Sequence, residues 1–312
     1  MKKIRTITLN PVFDLHYDVP DFSPGRENLV SAVERYAGGK GVNTARALAA
    51  NGIDSIAYVV VGTENGESFL SCLAKDGVAY RAFHTPGRIR EGITVHPRQG
   101  RETRLAVNTF RVDDDSYAAL EAALLAEDLP HCLFSFSGRL PEGVDKERVL
   151  SLLARLIAGG AGVVVDCASL TRSDLCRLRA WFIKPNEQEA QALCGMRSAT
   201  VSDAAEAVRA LVAQGVSETA MISLGAKGAV YADREDTYFL RVPPLNDPPS
   251  TIGAGDSAIA GLLAAAARGT AKEDRVRLAM AYGTAACMTR GTLPPRPADV
   301  ETLLPQIKIE RV

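Results

Sequence analysis

The segment Thr251-Ile252-Gly253-Ala254-Gly255-Asp256-Ser257 leads into the small-residue run 258–267. Gly253 and Gly255 permit tight backbone conformations, and the run behind them reads as a helix. The unpaired N–H groups and positive dipole end of a helix N-terminus make an anion site. An aspartate at such a mouth repels a phosphate unless it has a task there. The task that fits is general base, with Asp256 accepting the proton of a hydroxyl that attacks the phosphate. Taken alone, the segment reads equally well as a glycine-rich turn with Asp256 as an ordinary cap.

Three further clusters carry chemistry. Gly38-Gly39-Lys40-Gly41-Val42-Asn43 opens the helical run 44–50, so its amides, Lys40 and Asn43 could hold a polyhydroxylated or phosphorylated ligand. The plain alternative is a tight connection with a surface lysine. Ser223-Leu224-Gly225-Ala226-Lys227-Gly228 closes the strand-like run 219–224, and ligands of open α/β sheets bind at strand C-termini. In Lys184-Pro185-Asn186-Glu187-Gln188-Glu189 the spacing puts Asn186 and Glu189 on one helical face. They suit a Mg²⁺–water–phosphate cluster, or equally a cap and its capping-box partner. GxxxxGK[ST] occurs nowhere in the chain, so a nucleotide is not held by a P-loop.

The elements that must position these residues alternate. Strand-like runs at 55–61, 132–137, 162–167, 181–184 and 219–224 are separated by helix-period runs at 66–76, 145–158, from about 186, and at 202–214. Helices are expected at 256–267, 275–288 and 298–307. Val163-Val164-Val165 is apolar without a break, as suits a strand covered on both faces. Alternation of this kind implies parallel strands joined by right-handed crossovers. Residues 10–36, with Pro11, Pro20 and Pro24, and the hairpin-like stretch 88–110 break the pattern. That hairpin pairs 93–97 with 103–107 around Arg98-Gln99-Gly100-Arg101. The two stretches fit a small β-sheet assembled from separate inserts. The expected fold is a three-layer α/β/α sandwich with a mostly parallel sheet, one domain over 1–312, and a β-lid from about 10–36 and 88–110.

Composition narrows the partners. The 312 residues hold 36 Lys+Arg against 37 Asp+Glu, a net charge of −1 that argues against nucleic acid and anionic membrane as partners. No apolar run approaches the roughly 18 residues of a membrane helix, and residues 1–10 lack a signal-peptide core. The six cysteines are scattered without a CxxC pair, which reads as reduced thiols in a cytoplasmic protein. Asp113-Asp114-Asp115 reads as helix cap and dipole partners. His16, His84, His96 and His131 show no metal or triad spacing, and Trp181 is expected in the core. Arg98, Arg101 and Arg104 form a solvated hairpin face, with Arg104 within reach of an anionic substrate.

The order GGKGVN, SGRLP (137–141), KPNEQE, SLGAKG, GAGD, with strand–helix units between, resembles the ribokinase-like (PfkB) carbohydrate kinases along essentially the whole chain. Thr6-Ile7-Thr8-Leu9-Asn10-Pro11-Val12-Phe13-Asp14, GGKG and the end near Gln306-Ile307-Lys308 look closest to the 1-phosphofructokinase and tagatose-6-phosphate kinase branch. The resemblance implies ATP and Mg²⁺, with Asp256 as base and Gly253, Ala254 and Gly255 as the anion hole. It assigns Ser223, Gly225, Lys227 and Gly228 to the nucleotide. Lys184, Asn186 and Glu189 go to phosphate and, through water, Mg²⁺. Asp14, Gly38, Gly39, Lys40, Asn43 and Arg90 go to the sugar, and the lid is implied to join a homodimer.

Departures from the branch bear on the acceptor. Leu29 replaces a basic residue, Gly92 replaces an amide, and Arg139 stands where the branch has a small polar residue. Arg139 either supplies the charge that Leu29 lacks, gripping an acceptor phosphate, or points outward beside a pocket for a neutral sugar. The implied reaction is phosphorylation of a primary hydroxyl on fructose 1-phosphate, tagatose 6-phosphate or fructose 6-phosphate. The rivals are a kinase for an unphosphorylated sugar or nucleoside, and a sensor without turnover. An intact GAGD argues against the sensor.

Overall fold

The computed structural model describes residues 1–98 and 102–312. Along the chain come β1 (Lys3–Thr8), β2 (Val12–Asp18), β3 (Ala32–Gly38), α1 (Lys40–Ala50), β4 (Ser55–Gly62) and α2 (Gly66–Lys75). Next are β5 (Tyr80–Thr85), β6 (Arg90–His96), β7 (Thr103–Ala106), α3 (Asp114–Leu125), β8 (Cys132–Ser137) and α4 (Lys146–Ala158). Then follow β9 (Gly162–Asp166), α5 (Arg172–Leu178), β10 (Ala180–Ile183), α6 (Glu187–Cys194), α7 (Val201–Ala213) and β11 (Ser217–Ser223). The chain closes with β12 (Ala229–Ala232), β13 (Thr237–Arg241), α8 (Ala254–Ala267), α9 (Lys272–Ala286), α10 (Pro297–Leu303) and β14 (Lys308–Arg311).

Ten strands form one sheet in the order β14-β13-β12-β11-β10-β9-β8-β1-β4-β5. It is parallel from β5 to β11 and antiparallel beyond. Successive side chains of a strand point to opposite faces, so a strand covered on both must be apolar throughout. Val163 and Val165 enter one core and Val164 the other; Phe134 and Leu133 divide likewise. The first core is roofed by Phe69 of α2, Leu120 of α3, Leu153 of α4 and Val208 of α7. The second is roofed by Ile259 and Leu263 of α8, Ala281 and Ala285 of α9, and Val300 of α10. Each large apolar side chain so buried contributes about 1.5–3 kcal/mol. The alanine-rich helices approach closely: a Cβ on Gly261 would stand 2.6 Å from the Leu278 carbonyl. Among the described residues no helix is long and apolar enough to cross a membrane.

A separate four-stranded sheet, β3-β2-β6-β7, stands apart from the large one. β2 pairs antiparallel with β3 and parallel with β6, and β6 pairs antiparallel with β7. It is built from the two inserts that broke the alternation. Residues 99–101 of the expected turn lie outside the described residues.

The chain end departs from expectation. A helix over 298–307 is expected, yet α10 stops at Leu303, a short 3₁₀ turn follows, and β14 adds an antiparallel edge strand beside β13. Pro305 lacks the N–H a continuing helix needs, which favours the stop. Trp181 is half-buried at the fringe of the second core rather than inside it. Asp113 caps α3, accepting from the Ser116 amide at 3.0 Å. All six cysteines are free thiols.

Candidate active site

The parallel strands aim their C-terminal ends at one cavity of about 1030 Å³. Asn10 follows β1, Gly138 and Arg139 follow β8, Asp166 ends β9, Lys184 follows β10 and Ser223 ends β11. The N-termini of α1 and α8 complete the wall with Gly39, Lys40, Asn43 and residues 253–256. Over the opening hang Asp14 of β2, Arg90 of β6 and Arg104 of β7. Each motif has become one corner of a single pocket.

At the α8 corner, Gly253 is the N-cap in the left-handed region, φ 78°, which a residue with a Cβ adopts at a cost. The amides of Gly255 and Asp256 in the first turn have no intrahelical acceptor. Lys184, itself buried, crosses this turn so closely that a Cβ on Gly255 would lie 2.9 Å from its Nζ. The arrangement is an anion cradle.

Asp256, 7% exposed, hangs from the same turn. Asn43 Nδ2 donates to its Oδ2 at 2.8 Å, and the Thr44 hydroxyl donates to its backbone carbonyl at 3.2 Å. Burial, and then the nearby Asp166 carboxylate, push its pKa up to about 6, against the pull of Lys40, the Asn43 bond and Lys184. A carboxylate so poised can take a proton near neutrality and hold it weakly enough to release it.

Lys40 Nζ donates to Asp166 Oδ1 at 2.8 Å. Burial works against its charge, but Asp166, with Asp256 and Glu189 behind it, raises its pKa above the ordinary lysine range. Lys40 is therefore a fixed cation beside Asp256. Asp166 was missed in the sequence. Its signal was an acidic residue closing the valine strand at the sheet edge where ligands bind. Asn10 and Thr292, also on the wall, had no signal beyond the motif around Asn10.

Asn186 and Glu189 form the capping box: each side chain accepts from the other's backbone N–H, at 2.9 and 3.0 Å. Both still line the cavity. Ser223, Gly225 and Gly228 line it too, whereas Lys227 turns away and donates to the Ala199 carbonyl at 2.9 Å. Gly38 is not on the wall either. A Cβ there would lie 2.1 Å from Asp14 Oδ2, so its lack of a side chain makes room for that carboxylate.

At the small-sheet corner, Asp14 is 3% exposed and pairs with Arg104 Nη2 at 3.1 Å. Burial raises its pKa, and Arg104, Arg46, Arg90 and the Thr292 hydroxyl oppose that rise. Arg90 is clamped by Asn10 Oδ1 at 2.7 Å and the Val107 carbonyl at 3.0 Å. Burial lowers its pKa, Arg104 and Arg139 lower it further, and Asp14 works the other way. Arg139, though exposed, thus belongs to the same electrostatic neighbourhood; Leu29, 83% exposed, does not line the cavity.

Chemically, the cavity offers an anion cradle with a lysine at one end and an arginine-rich end at the other. Between them stands a carboxylate able to take a proton. Residues 7–299 match the model described as pfkB family carbohydrate kinase. A 1-phosphofructokinase of Escherichia coli (strain K12) is 30% identical over 285 residues, 91% of each chain. One from Rhodobacter capsulatus is 33% identical over 312 residues, 99% of this chain and 98% of its own. The solved structure of phosphofructokinase-2 from Escherichia coli in complex with substrates and products superposes with a TM-score of 0.91. That pair is 28% identical over 97% of this chain and 99% of the other.

Proposed function

We propose, from the premise that this chain belongs to the pfkB family of carbohydrate kinases, that its acceptor is a ketohexose already carrying a phosphate. Transfer from ATP goes to a primary hydroxyl. Fructose 1-phosphate and tagatose 6-phosphate lead the candidates, with fructose 6-phosphate next. The observation that carries this reading is the meeting of Arg90, Arg104 and Arg139 at one end of the cavity, where Asp14 is the nearby carboxylate. Three guanidiniums around one anion leave positive charge uncompensated, which a neutral sugar would not relieve and a phosphate would. The names of the relatives, 1-phosphofructokinases and a 6-phosphofructokinase isozyme, agree with such an acceptor.

In this reading the ATP phosphates lie against Lys184 and the turn 253–256, with the nucleotide along Ser223, Gly225 and Gly228. Asp14, Gly39 and Asn43 hold the sugar. Asp256 takes the proton of the attacking hydroxyl, and the turn amides and Lys184 meet the charge on the moving phosphoryl group. The small sheet acts as a lid, excluding the water that would otherwise accept the phosphoryl group. Asn186 and Glu189, with one Glu189 oxygen outside the capping box, would hold Mg²⁺ through water; among the described residues no three acidic or imidazole groups cluster to bind it directly. When bound through water it would offset phosphate charge.

ADP release measured over a sugar panel tests the acceptor. The kcat/KM for at least one of the three ketohexose phosphates is expected to exceed that for free fructose, tagatose and ribose by about 10²-fold, the worth of a charge-assisted contact. Turnover of free sugars alone would end the phosphate reading.

The lid also presents exposed apolar side chains: Leu29 at 83%, Val33 at 57% and Leu105 at 55%. Large apolar side chains left exposed at both edge strands of a small sheet, and on the loop entering it, mark an interface, and we assign it to a second copy of the chain. Light scattering should give twice 33.3 kDa at micromolar concentration, and Val33→Glu with Leu105→Glu should give a monomer. A monomeric parent would refute the assignment.

A further inference from the structure

Arg46 heads the fully buried side chains by volume, at 1% exposure. It projects from α1 three residues after Asn43. Burying a guanidinium costs several kcal/mol unless its donors are met, and a helix that needed only packing would carry Leu or Met there. One counter-ion is supplied: Nε lies 2.5 Å from Asp76 Oδ2, at the end of α2. A second arm crosses to the far end of the chain, where Nη1 donates to the Thr292 carbonyl at 3.0 Å. The Tyr36 ring of β3 flanks the group 5.4 Å from Cζ. Nη2 is buried with no partner among the described residues.

The segment reached by Arg46 is where the small sheet docks on the large domain. Asp14, His16 and Asp18 share one face of β2, being two residues apart. They meet residues 292, 291 and 290 in that order. Asp18 pairs with Arg290, and a Cβ on Gly291 would lie 2.4 Å from the His16 ring. The Thr292 hydroxyl is buried in the surroundings of Asp14 and makes no hydrogen bond among the described residues. On its other side, the Thr292 Cα is 4.0 Å from where a Gly253 Cβ would stand. Thr292 therefore sits between the acceptor carboxylate and the anion cradle, and Arg46 is the group that holds its backbone.

We propose that Arg46 is a positioning residue: by pinning the Thr292 carbonyl to α1, it sets the acceptor end of the cavity against the anion cradle. This rests on the reading above that Asp14 binds the sugar. Arg46 touches neither substrate. A side chain of one charge with three rotatable donors cannot serve Asp76 and Thr292 in the same planar fork, so lysine is the discriminating replacement.

Kinetics of Arg46→Lys, Asp76→Asn, Asp14→Asn and the double variant Asp14→Asn/Arg46→Lys, with sugar phosphate and ATP varied separately, test it. Arg46→Lys should raise the acceptor KM about tenfold or more and leave the ATP KM within twofold. A merely structural arginine would lower the melting temperature without that split. On the Asp14→Asn background, Arg46→Lys should add less than about threefold, because its effect runs through Asp14. Asp76→Asn takes the counter-ion from the Arg46 fork at a point outside the cavity, and should raise the acceptor KM severalfold while the ATP KM stays within twofold. That arm decides the matter if Arg46→Lys does not fold. If Asp14→Asn raises the acceptor KM while Arg46→Lys and Asp76→Asn leave it unmoved, the proposal is overturned and the acceptor reading stands. If Asp14→Asn leaves it unmoved, both fall.

Discussion

Asp256→Asn is expected to lower kcat by about 10³-fold, within the range a positioned general base contributes, while the protein melts higher than its parent. The first effect follows from position. Asp256 shares the first turn of α8 with the anion cradle and is held there by Asn43 at 2.8 Å. Asparagine keeps the size and can accept the same bond, so ATP affinity by calorimetry should change little. The proton acceptor is gone.

The second effect follows from linkage. Burial and the Asp166 carboxylate raise the Asp256 pKa from the ordinary aspartate value of 3.8 to about 6. A carboxyl whose folded pKa lies above its unfolded one stabilises the fold only while protonated. As pH climbs from about 4 to 6 that contribution is lost, and above 6 the ionised group is a standing cost of up to about 3 kcal/mol. Asparagine removes the cost, so scanning calorimetry at pH 7.5 should place Asp256→Asn a few degrees above the parent. The same value sets the rate profile. Asp256 is charged above about pH 6 in the free chain, so the parent's kcat/KM should be level at higher pH and fall about tenfold per unit below it. A variant keeping kcat within tenfold of the parent would remove Asp256 from the base role.

How much of this was readable beforehand depended on whether a residue's meaning is local. Gly253, Gly255 and Asp256 carry theirs within one turn: two glycines, a helix of small residues and an acid at its mouth. Val163-Val164-Val165 announces a doubly covered strand for the same reason, since strand geometry alone sends its middle residue to the opposite core. Asp166 has no local signature because its partner Lys40 is 126 residues away, a pairing only the assembled sheet creates. The resemblance carried by its motif assigns Lys227 to the nucleotide. The 3₁₀ turn Gly225–Lys227 rotates its side chain outward to Ala199, while the glycines beside it stay on the wall. A backbone motif predicts backbone, and a side chain leaving such a turn is aimed by what packs around it. The short edge strand β14, mostly exposed, had too little apolar periodicity to register. The segment Arg290-Gly291-Thr292 reads as a plain turn and acquires its role only when one face of β2 is laid against it.

Arg90→Leu should cost more acceptor affinity than any other single change in the cavity. Among the described contacts Arg90 has no direct carboxylate partner. Its hydrogen bonds go to Asn10 and to the Val107 and Asn10 carbonyls. Burial and two neighbouring guanidiniums weigh against its charge. The neutral clamp fixes the side chain without spending its charge, so an arriving phosphate dianion meets a cation already oriented. Removing one member of a desolvated charge pair costs about 2–5 kcal/mol, so kcat/KM for the preferred ketohexose phosphate should fall by about 10²-fold or more. Turnover of free sugar should hardly change. Arg90→Lys keeps the charge and loses the planar fork, and should fall between the two. Arg139→Ser should cost about tenfold, less than Arg90→Leu, because Arg139 is exposed and its field is screened by water. The gap between phosphorylated and free acceptors should narrow in every one of these variants. If Arg90→Leu and Arg139→Ser both leave the kcat/KM of the phosphorylated acceptor within threefold, the arginine-rich end does not read phosphate. The discrimination among ketohexoses would then have to come from the hydroxyl contacts of Asp14 and Asn43.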